Sequence, residues 1–282
     1  MAIEEARARP APIAGGKSRP ARELVIDAFF GPLAARVALA LEPLRVPPTA
    51  LVLANGVAGL LAALALHEGA LVAAAALLQV KTLLDNADGR LARVSGRITL
   101  LGRYLDTEVD LLVNAALFAA LGSVTGKPWL ALAAFLVLTL VLSVGFNLAE
   151  LFRLAHDGHV AAPPSSGSVA ERGLEAAYRA AFGWHDRLIR AVVTRRLERV
   201  LGDERDADRR RAVTLAYHDR ATMSFLANLG LSTQLVVLGL FLLLDAPEVY
   251  LWLVVCSSAL LPLLQLRRER LARRSLSEPR AA

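Results

Sequence analysis

Cysteine is nearly absent from this sequence of 282 residues, in which Cys256 stands alone within an apolar run. One cysteine excludes a disulfide framework and a cysteine-based zinc site. Charge is also scarce: charged residues make up 21% of the chain against 55% hydrophobic residues, and the mean hydropathy is +0.47. This composition excludes a disordered chain and argues against an ordinary soluble core.

The charges that remain are basic on balance, with 32 Lys and Arg against 26 Asp and Glu. The basic residues lie between apolar runs of membrane length, so we expect no nucleic-acid partner. A spanning helix needs roughly 20 mostly apolar residues. Six runs are candidate spans: residues 49–66, 70–84, 100–121, 128–149, 223–244 and 249–266.

The basic residues also predict how these spans are oriented. Three short connections, at 67–69, 123–127 and 245–248, contain Lys127 as their only Lys or Arg. The N-terminal segment, the other connections and the C-terminal segment are rich in arginine. Because positively charged loops stay in the cytoplasm, we expect six spans in the cytoplasmic membrane with both termini in the cytoplasm.

The expected fold is therefore an all-α, multi-pass integral membrane protein. Residues 1–22 are predicted to be a flexible cytoplasmic tail and 271–282 a flexible C-terminal tail. Residues 23–45 form an amphipathic pattern that fits a juxtamembrane helix at the lipid interface or a helix packed on the bundle. The spans occupy 46–270, with a cytoplasmic helical insertion at about 153–221 between spans four and five.

Four aspartates interrupt the second and third spans, where charged groups are costly and usually mark function. On a helix, the spacing of the second-span residues places them on one face, and the same is true of the third. The two acidic faces should meet at the cytoplasmic end of a helix hairpin. The residues concerned are Asp85, Asp88, Gly89, Ala92 and Arg93 in the second span, and Gly102, Asp106 and Asp110 in the third.

Four neighbouring carboxylates repel one another unless a cation neutralises them. Their oxygen ligands suit Mg²⁺ or Mn²⁺, and the lack of His and Cys argues against zinc. Arg93 adds a bidentate partner for phosphate, and the small residues let a ligand lie against the backbone. The prediction is a site for a metal-bound phosphate compound. The alternative is a pair of structural salt bridges, Lys81–Asp85 and Arg103–Asp106.

Together these residues resemble the signature of the CDP-alcohol phosphotransferases (CDP-alcohol phosphatidyltransferases), D-x2-D-G-x2-A-R-x8-G-x3-D-x3-D. The segment reads Asp85-Asn-Ala-Asp88-Gly89-Arg-Leu-Ala92-Arg93, then eight residues, Gly102, three residues, Asp106, three residues and Asp110. Every fixed position of the signature matches.

The resemblance implies a membrane enzyme of phospholipid synthesis, usually a homodimer, with 46–270 as its catalytic domain. It would transfer a substituted phosphate group from a CDP-linked lipid, such as CDP-diacylglycerol, to an alcohol and release CMP. The four aspartates would hold one or two Mg²⁺ or Mn²⁺ ions, and Asp110 would be the general base. The CDP part would contact Asp85, Asp88, Gly89, Ala92, Arg93, Gly102 and Asp106.

The sequence departs from the family at several positions. Many members have Pro-Asn-x-x-Thr at the first span, whereas here Val52 stands at the Thr position and Asn55 is the candidate substitute. Arg153, Asn228 and Ser232 are further candidates for acceptor or donor contacts. Arg153 could instead be a juxtamembrane anchor, and Asn228 and Ser232 could instead form hydrogen bonds to a neighbouring helix. An Arg-Ala-Arg stretch typical of inositol-phosphate-using members is absent after span four, which disfavours that acceptor.

A carboxylate-lined cation transporter is the alternative function. A transporter places its acids near the bilayer midplane, whereas Asp85 and Asp88 lie at the end of a span and are followed by arginines. An aspartate-rich prenyltransferase would carry two such segments on separate helix pairs. The position of the acids favours a reaction site at the membrane surface.

Overall fold

The structure, a computed structural model, describes residues 23–158 and 163–277, so the predicted tail over 1–22 lies outside it. The described part is helical and contains no strand. It begins with a π-helical turn, Ile26–Phe30, and continues with twelve α-helices: α1 Gly31–Leu41, α2 Pro48–His67, α3 Leu71–Val94, α4 Leu100–Thr125, α5 Pro128–Asp157, α6 Val169–Ala181, α7 Gly183–Leu201, α8 Ala207–Tyr217, α9 Arg220–Ala227, α10 Leu231–Leu243, α11 Pro247–Ser257 and α12 Leu260–Ser277.

Five segments of the described chain are long and apolar enough to cross a membrane, which supports a multi-pass integral membrane protein. The predicted second span is not among them. Its helix, α3, has 24 residues but contains Lys81, Asp85 and Asp88. The five segments are Pro48–His67, Leu100–Thr125, Pro128–Asp157, Ala207–Leu243 and Pro247–Ser277.

Helices α2, α3 and α4 pack closely and hold the two acidic faces together. Their buried core includes Ala62, Leu78 and Leu117. Two glycines of α2 allow α4 to approach: a Cβ at Gly56 would lie 2.7 Å from Val109 Cγ1, and one at Gly59 would lie 2.4 Å from Val113 Cγ1. Because no side chain fits there, the backbones of α2 and α4 come closer than alanine would permit.

The last two predicted spans are each broken, which corrects the expectation of continuous helices over 223–244 and 249–266. The first is divided between α9 and α10 around Gly230, which has an extended backbone. The second is divided between α11 and α12, where Ser257 and Ser258 donate to carbonyls of the preceding turn at 2.6 and 2.7 Å. Such side-chain bonds compete with the helix, and hydropathy does not register them.

The predicted terminal boundaries also shift. Helix α12 extends to Ser277, so residues 271–277 are helical rather than tail, and Ala272 is fully buried. At the other end, α1 ends at Leu41 rather than at 45. Its buried residues Ala34 and Ala38 belong to the same core cluster as Ala87 of α3, so this helix packs on the bundle.

One ion pair joins two of the connections that the sequence places on the same side of the membrane. Lys127, between α4 and α5, pairs with Glu248 at the start of α11. The α4–α5 and α10–α11 connections therefore lie at one end of the bundle, as the predicted topology requires.

Candidate active site

Three of the four predicted aspartates meet between α3 and α4. Asp85, Asp88 and Asp106 each offer a carboxylate oxygen, and these oxygens all lie within 4.8 Å of one another. Asp88 is 7% exposed. Helical spacing on two facing helices therefore produces the compact acidic cluster that the sequence predicts.

The donor set of this triad fits a divalent metal ion. Asp88 Oδ2 and Asp106 Oδ1 are buried and have no hydrogen-bond partner among the described residues. Buried carboxylate oxygens without a partner are costly, and the three carboxylates of the triad also repel one another. A hard cation such as Mg²⁺ or Mn²⁺ takes oxygen ligands of this kind, so these residues could hold one.

Asp110, the fourth aspartate, lies outside this triad and is held by a lysine. Its Oδ1 is 2.7 Å from Lys81 Nζ, which is 3.8 Å from Asp85 Oδ1. Lys81 is fully buried, and a Cβ at Gly59 would lie 3.2 Å from its Cδ. The expected Lys81–Asp85 pair is present, but the shorter contact to Asp110 was missed from the sequence.

Asn55 supports the triad from α2. This buried side chain donates from Nδ2 to Asp85 Oδ1 at 3.0 Å. Asn55 of α2 therefore positions Asp85. Many family members have the Asn and Thr of Pro-Asn-x-x-Thr on the corresponding helix.

Two other candidates contact neighbouring elements. Ser232 Oγ accepts a hydrogen bond from Asn86 Nδ2 at 3.2 Å and joins α10 to α3. Asn228 Oδ1 accepts from the Leu24 backbone at 2.9 Å. These contacts match the helix–helix alternative for both residues.

Two glycines of the motif lie beside identified side chains, and only Gly102 is tightly enclosed. A Cβ at Gly102 would lie 3.2 Å from Thr99 Oγ1, the side chain that caps α4 by accepting from Gly102 N at 3.1 Å. A Cβ at Gly89 would lie 3.5 Å from Arg93 Nη1. The guanidinium of Arg93 therefore lies beside the backbone of Gly89, which has no side chain. Ala92, the residue before Arg93, is half-buried.

The second ion pair of the salt-bridge alternative does not form. Arg103 pairs with Glu150 of α5 at 3.0 Å rather than with Asp106. Glu150 also pairs with Arg190 of α7. The carboxylate of Asp106 consequently remains in the triad.

A cavity of about 460 Å³ opens between α3, α5 and the break that separates α9 from α10. Its basic residues are Arg90, Arg93 and Arg153, and we name it the arginine cavity. Glu23 and Asp27 also line it. Within the described ranges Arg153 has no carboxylate partner, so its charge is available to an anion.

A second cavity, of about 250 Å³, lies between α4, α5 and the α6–α7 hairpin. Its carboxylates are Asp106, Asp110 and Asp186, and we name it the aspartate cavity. Leu142 and Phe146 line both cavities, so the two adjoin there.

The wall of the aspartate cavity contributed by α6 and α7 is fixed by hydrogen bonds. Tyr178 Oη donates to Asp186 Oδ2 at 2.8 Å, and Asn147 Nδ2 donates to Asp186 Oδ1 at 2.6 Å. Burial and the bond to Asp186 raise the pKa of Tyr178, so its phenol stays a donor. Arg190 Nε donates to Asn147 Oδ1 at 2.8 Å. Residue spacing does not indicate that this insertion reaches the site.

Residues 45–182 match the family model described as CDP-alcohol phosphatidyltransferase. No curated protein and no solved structure matches the chain significantly. The matched segment runs from the start of α2 through α6 and contains the whole aspartate motif. It supports transfer of a phosphatidyl group from a CDP-alcohol and a metal-dependent reaction in general. Residues 45–182 therefore form a domain of the CDP-alcohol phosphatidyltransferase family.

Proposed function

We propose that the protein transfers a phosphatidyl-type group from a CDP-linked lipid, CDP-diacylglycerol in the first instance, to an alcohol and releases CMP. The observation that carries this proposal is the carboxylate triad with two unpartnered oxygens, beside an Asp110 held separately by Lys81. The triad suits a metal-bound diphosphate, whereas Asp110 lies outside the triad and would serve proton transfer.

Asp85, Asp88 and Asp106 would hold Mg²⁺ or Mn²⁺, with Asp110 as a further ligand if two ions bind. When bound, the metal supplies positive charge to the diphosphate and to the departing CMP. Asn55 keeps Asp85 oriented toward this position through its 3.0 Å hydrogen bond.

Asp110 would take the proton of the acceptor hydroxyl as that oxygen attacks the phosphorus. The bond from phosphorus to the CMP oxygen then breaks, and CMP leaves with the electron pair. The ammonium of Lys81, 2.7 Å away, fixes the direction of the Asp110 side chain. Lys81 is therefore a positioning residue in this proposal.

The arginine cavity would receive the phosphates of the donor. Arg93 lies beside Gly89 and would contact the diphosphate, with Ala92 and Gly102 leaving space for the nucleotide. Arg153 lines the same cavity, and guanidinium groups form strong, charge-assisted bonds to phosphate oxygens. We assign Arg153 to the donor rather than to the acceptor.

We further propose that α3 is also a span, so that the chain has six spans in all. The protein would be a homodimer of the cytoplasmic membrane, and its termini and active site would face the cytoplasm. The charges within α3 account for its low hydropathy, because they build the site. The ion pair of Lys127 with Glu248 lies at the end that would face outward. Exposed Leu24 and Phe29 fit contact with the lipid interface.

The experiment supplies the purified protein with Mg²⁺, labelled CDP-diacylglycerol and a panel of alcohols, and follows CMP. We expect CMP release that requires both the metal and an acceptor. The Asp110→Asn variant should release no CMP above background. Absence of CMP with every acceptor, together with absence of CDP binding, would contradict the proposed function.

A further inference from the structure

Two buried polar side chains of the aspartate cavity have no role in the proposed reaction. Asn114 lies one helical turn beyond Asp110 on α4, and Ser143 lies on the facing helix α5. Both residues line the cavity and both are 7% exposed. Among the residues that the structure describes, neither side chain has a hydrogen-bond partner.

Unpartnered polar groups are unfavourable at this place. Asn114 and Ser143 lie on two membrane-spanning helices, and much of the rest of the wall is apolar, including Leu111, Leu142 and Leu231. Water is scarce at such depth, and buried amides and hydroxyls normally find a partner. A ligand that brings hydroxyl groups would satisfy both side chains at once.

The charges of the cavity restrict which ligand this can be. Among the described residues that line it, Arg103 is the single cation; it is engaged by Glu150 at 3.0 Å and lies 5.1 Å from the ring centre of Phe146. Asp186 receives hydrogen bonds from neutral donors, Asn147 and Tyr178, and from no cation among the described residues. A phosphate group bound in this cavity would lie near the negative charge of Asp186, and repulsion between like charges disfavours its binding.

The geometry points to the aspartate cavity as the acceptor subsite, selective for an alcohol that carries no anionic group. Asn114 and Ser143 would bind hydroxyls of that alcohol, while the carboxylate of Asp186 excludes a phosphorylated one. The inference rests on the proposed function for the role of Asp110 in the same cavity. It deepens that function by assigning the chemical class of the acceptor.

The activity test compares matched pairs of acceptors: glycerol with glycerol phosphate, and inositol with inositol phosphate. We expect the unphosphorylated member to be used at least about tenfold better, the size of one ionic or hydrogen-bonded contact. Asp186→Asn should reduce that preference. Preference for the phosphorylated members would overturn the inference and leave the proposed function intact.

Two variants locate the hydroxyl-binding groups. Asn114→Ala and Ser143→Ala should each raise the KM for the acceptor by about tenfold and leave the KM for the donor nearly unchanged. Ser123→Ala, an exposed position at the far end of α4, is the matched control and should change neither. Equal changes in the two KM values would contradict an acceptor subsite.

A binding measurement makes the inference independent of turnover. In a Cys256→Ser background, Ser143→Cys is labelled with a maleimide in the presence of each alcohol, and Ser123→Cys serves as the control. Alcohols without phosphate should slow labelling at position 143 alone. Protection by glycerol phosphate equal to that by glycerol, or protection by no alcohol, would overturn the subsite. Protection without any CMP release would instead contradict the proposed function.

Discussion

The two cavities that meet at Leu142 and Phe146 carry opposite charge. The arginine cavity presents three arginines against Glu23 and Asp27, whereas the aspartate cavity presents three carboxylates against Arg103. Transfer from an anionic donor to an alcohol needs both environments, because the diphosphate requires cations and the hydroxyl requires a base. Their separation by a shared apolar wall allows both to operate in one small bundle.

Helical periodicity on α3 contributes to this division. Asp85 and Asp88 join Asp106 of α4, whereas Asn86 and Arg90, at other angular positions of α3, line the arginine cavity. Arg93 shares the face of the two aspartates by its spacing, but it also lines that cavity. Successive residues of one helix point in different directions. A single segment of sequence can therefore supply carboxylates to one region and guanidinium groups to its neighbour.

The largest effect is expected from the triad. Asp88→Asn removes a charge from the metal-binding set, and we expect kcat/KM to fall by about 10³-fold, as when a main electrostatic group of an active site is lost. CMP release is the measurement. Glu248→Gln, which breaks an ion pair at the other end of the bundle, should stay within about twofold of the original protein. Comparable losses in both variants would contradict a local role for Asp88.

The buried lysine should dominate stability on the aspartate side. Lys81→Met leaves Asp85 and Asp110 without their cation, and breaking a buried pair in this way costs about 3–5 kcal/mol. Denaturant unfolding in detergent measures the loss. The double variant Lys81→Met/Asp110→Asn removes one of the stranded charges and should recover part of it. A double variant no more stable than the single one would contradict the pairing.

On the arginine side, Arg153→Ala should weaken donor binding and spare the acceptor. Loss of a charge-assisted bond is worth about 10- to 100-fold in the KM for the donor. Arg172→Ala, an exposed arginine of α6, is the control and should leave both KM values within about twofold. A larger change in the acceptor KM than in the donor KM would reassign Arg153 to the acceptor.

The smallest effect concerns the close fit of α2 that supports Lys81. Gly59→Ala places a methyl group 2.4 Å from Val113 Cγ1, and such overpacking costs about 1–3 kcal/mol. Gly173→Ala, on a helix with open space around it, should instead stabilise by up to about 1 kcal/mol. The changes in the free energy of unfolding caused by the two substitutions should differ in sign. A loss at position 173 as large as at 59 would show that helix propensity cannot be separated from packing here.

Much of the acidic site was predictable because helix periodicity converts spacing directly into a shared face. Asp85, Asp88 and Asp106 meet as their spacing indicates. Asn114 continues the four-residue series of Gly102, Asp106 and Asp110, so the same rule could have identified it. The contact of Lys81 with Asp110 depends on the register between two helices, which spacing within one helix does not determine.

The helix breaks and the insertion were less accessible to sequence reasoning. Asn228 donates to Ser224 O at 2.7 Å just before the break at Gly230, a local bond inside an apolar run. Hydropathy averages over such residues and predicts one span. Asp186 is separated from the motif by the rest of α4, by α5, by a linker and by α6, and nothing in its own neighbourhood indicates that it reaches the site.

Metal-dependent CDP binding to Asp110→Asn and Asp88→Asn, measured by calorimetry, tests most directly whether metal binding and proton transfer are divided between the triad and Asp110. Asp110→Asn should bind CDP in the presence of Mg²⁺ within about threefold of the original protein, since no charge-assisted contact to CDP is lost, and should release no CMP. Asp88→Asn should lose both metal-dependent CDP binding and CMP release. Equal loss of binding in the two variants, or turnover by Asp110→Asn, would contradict that division.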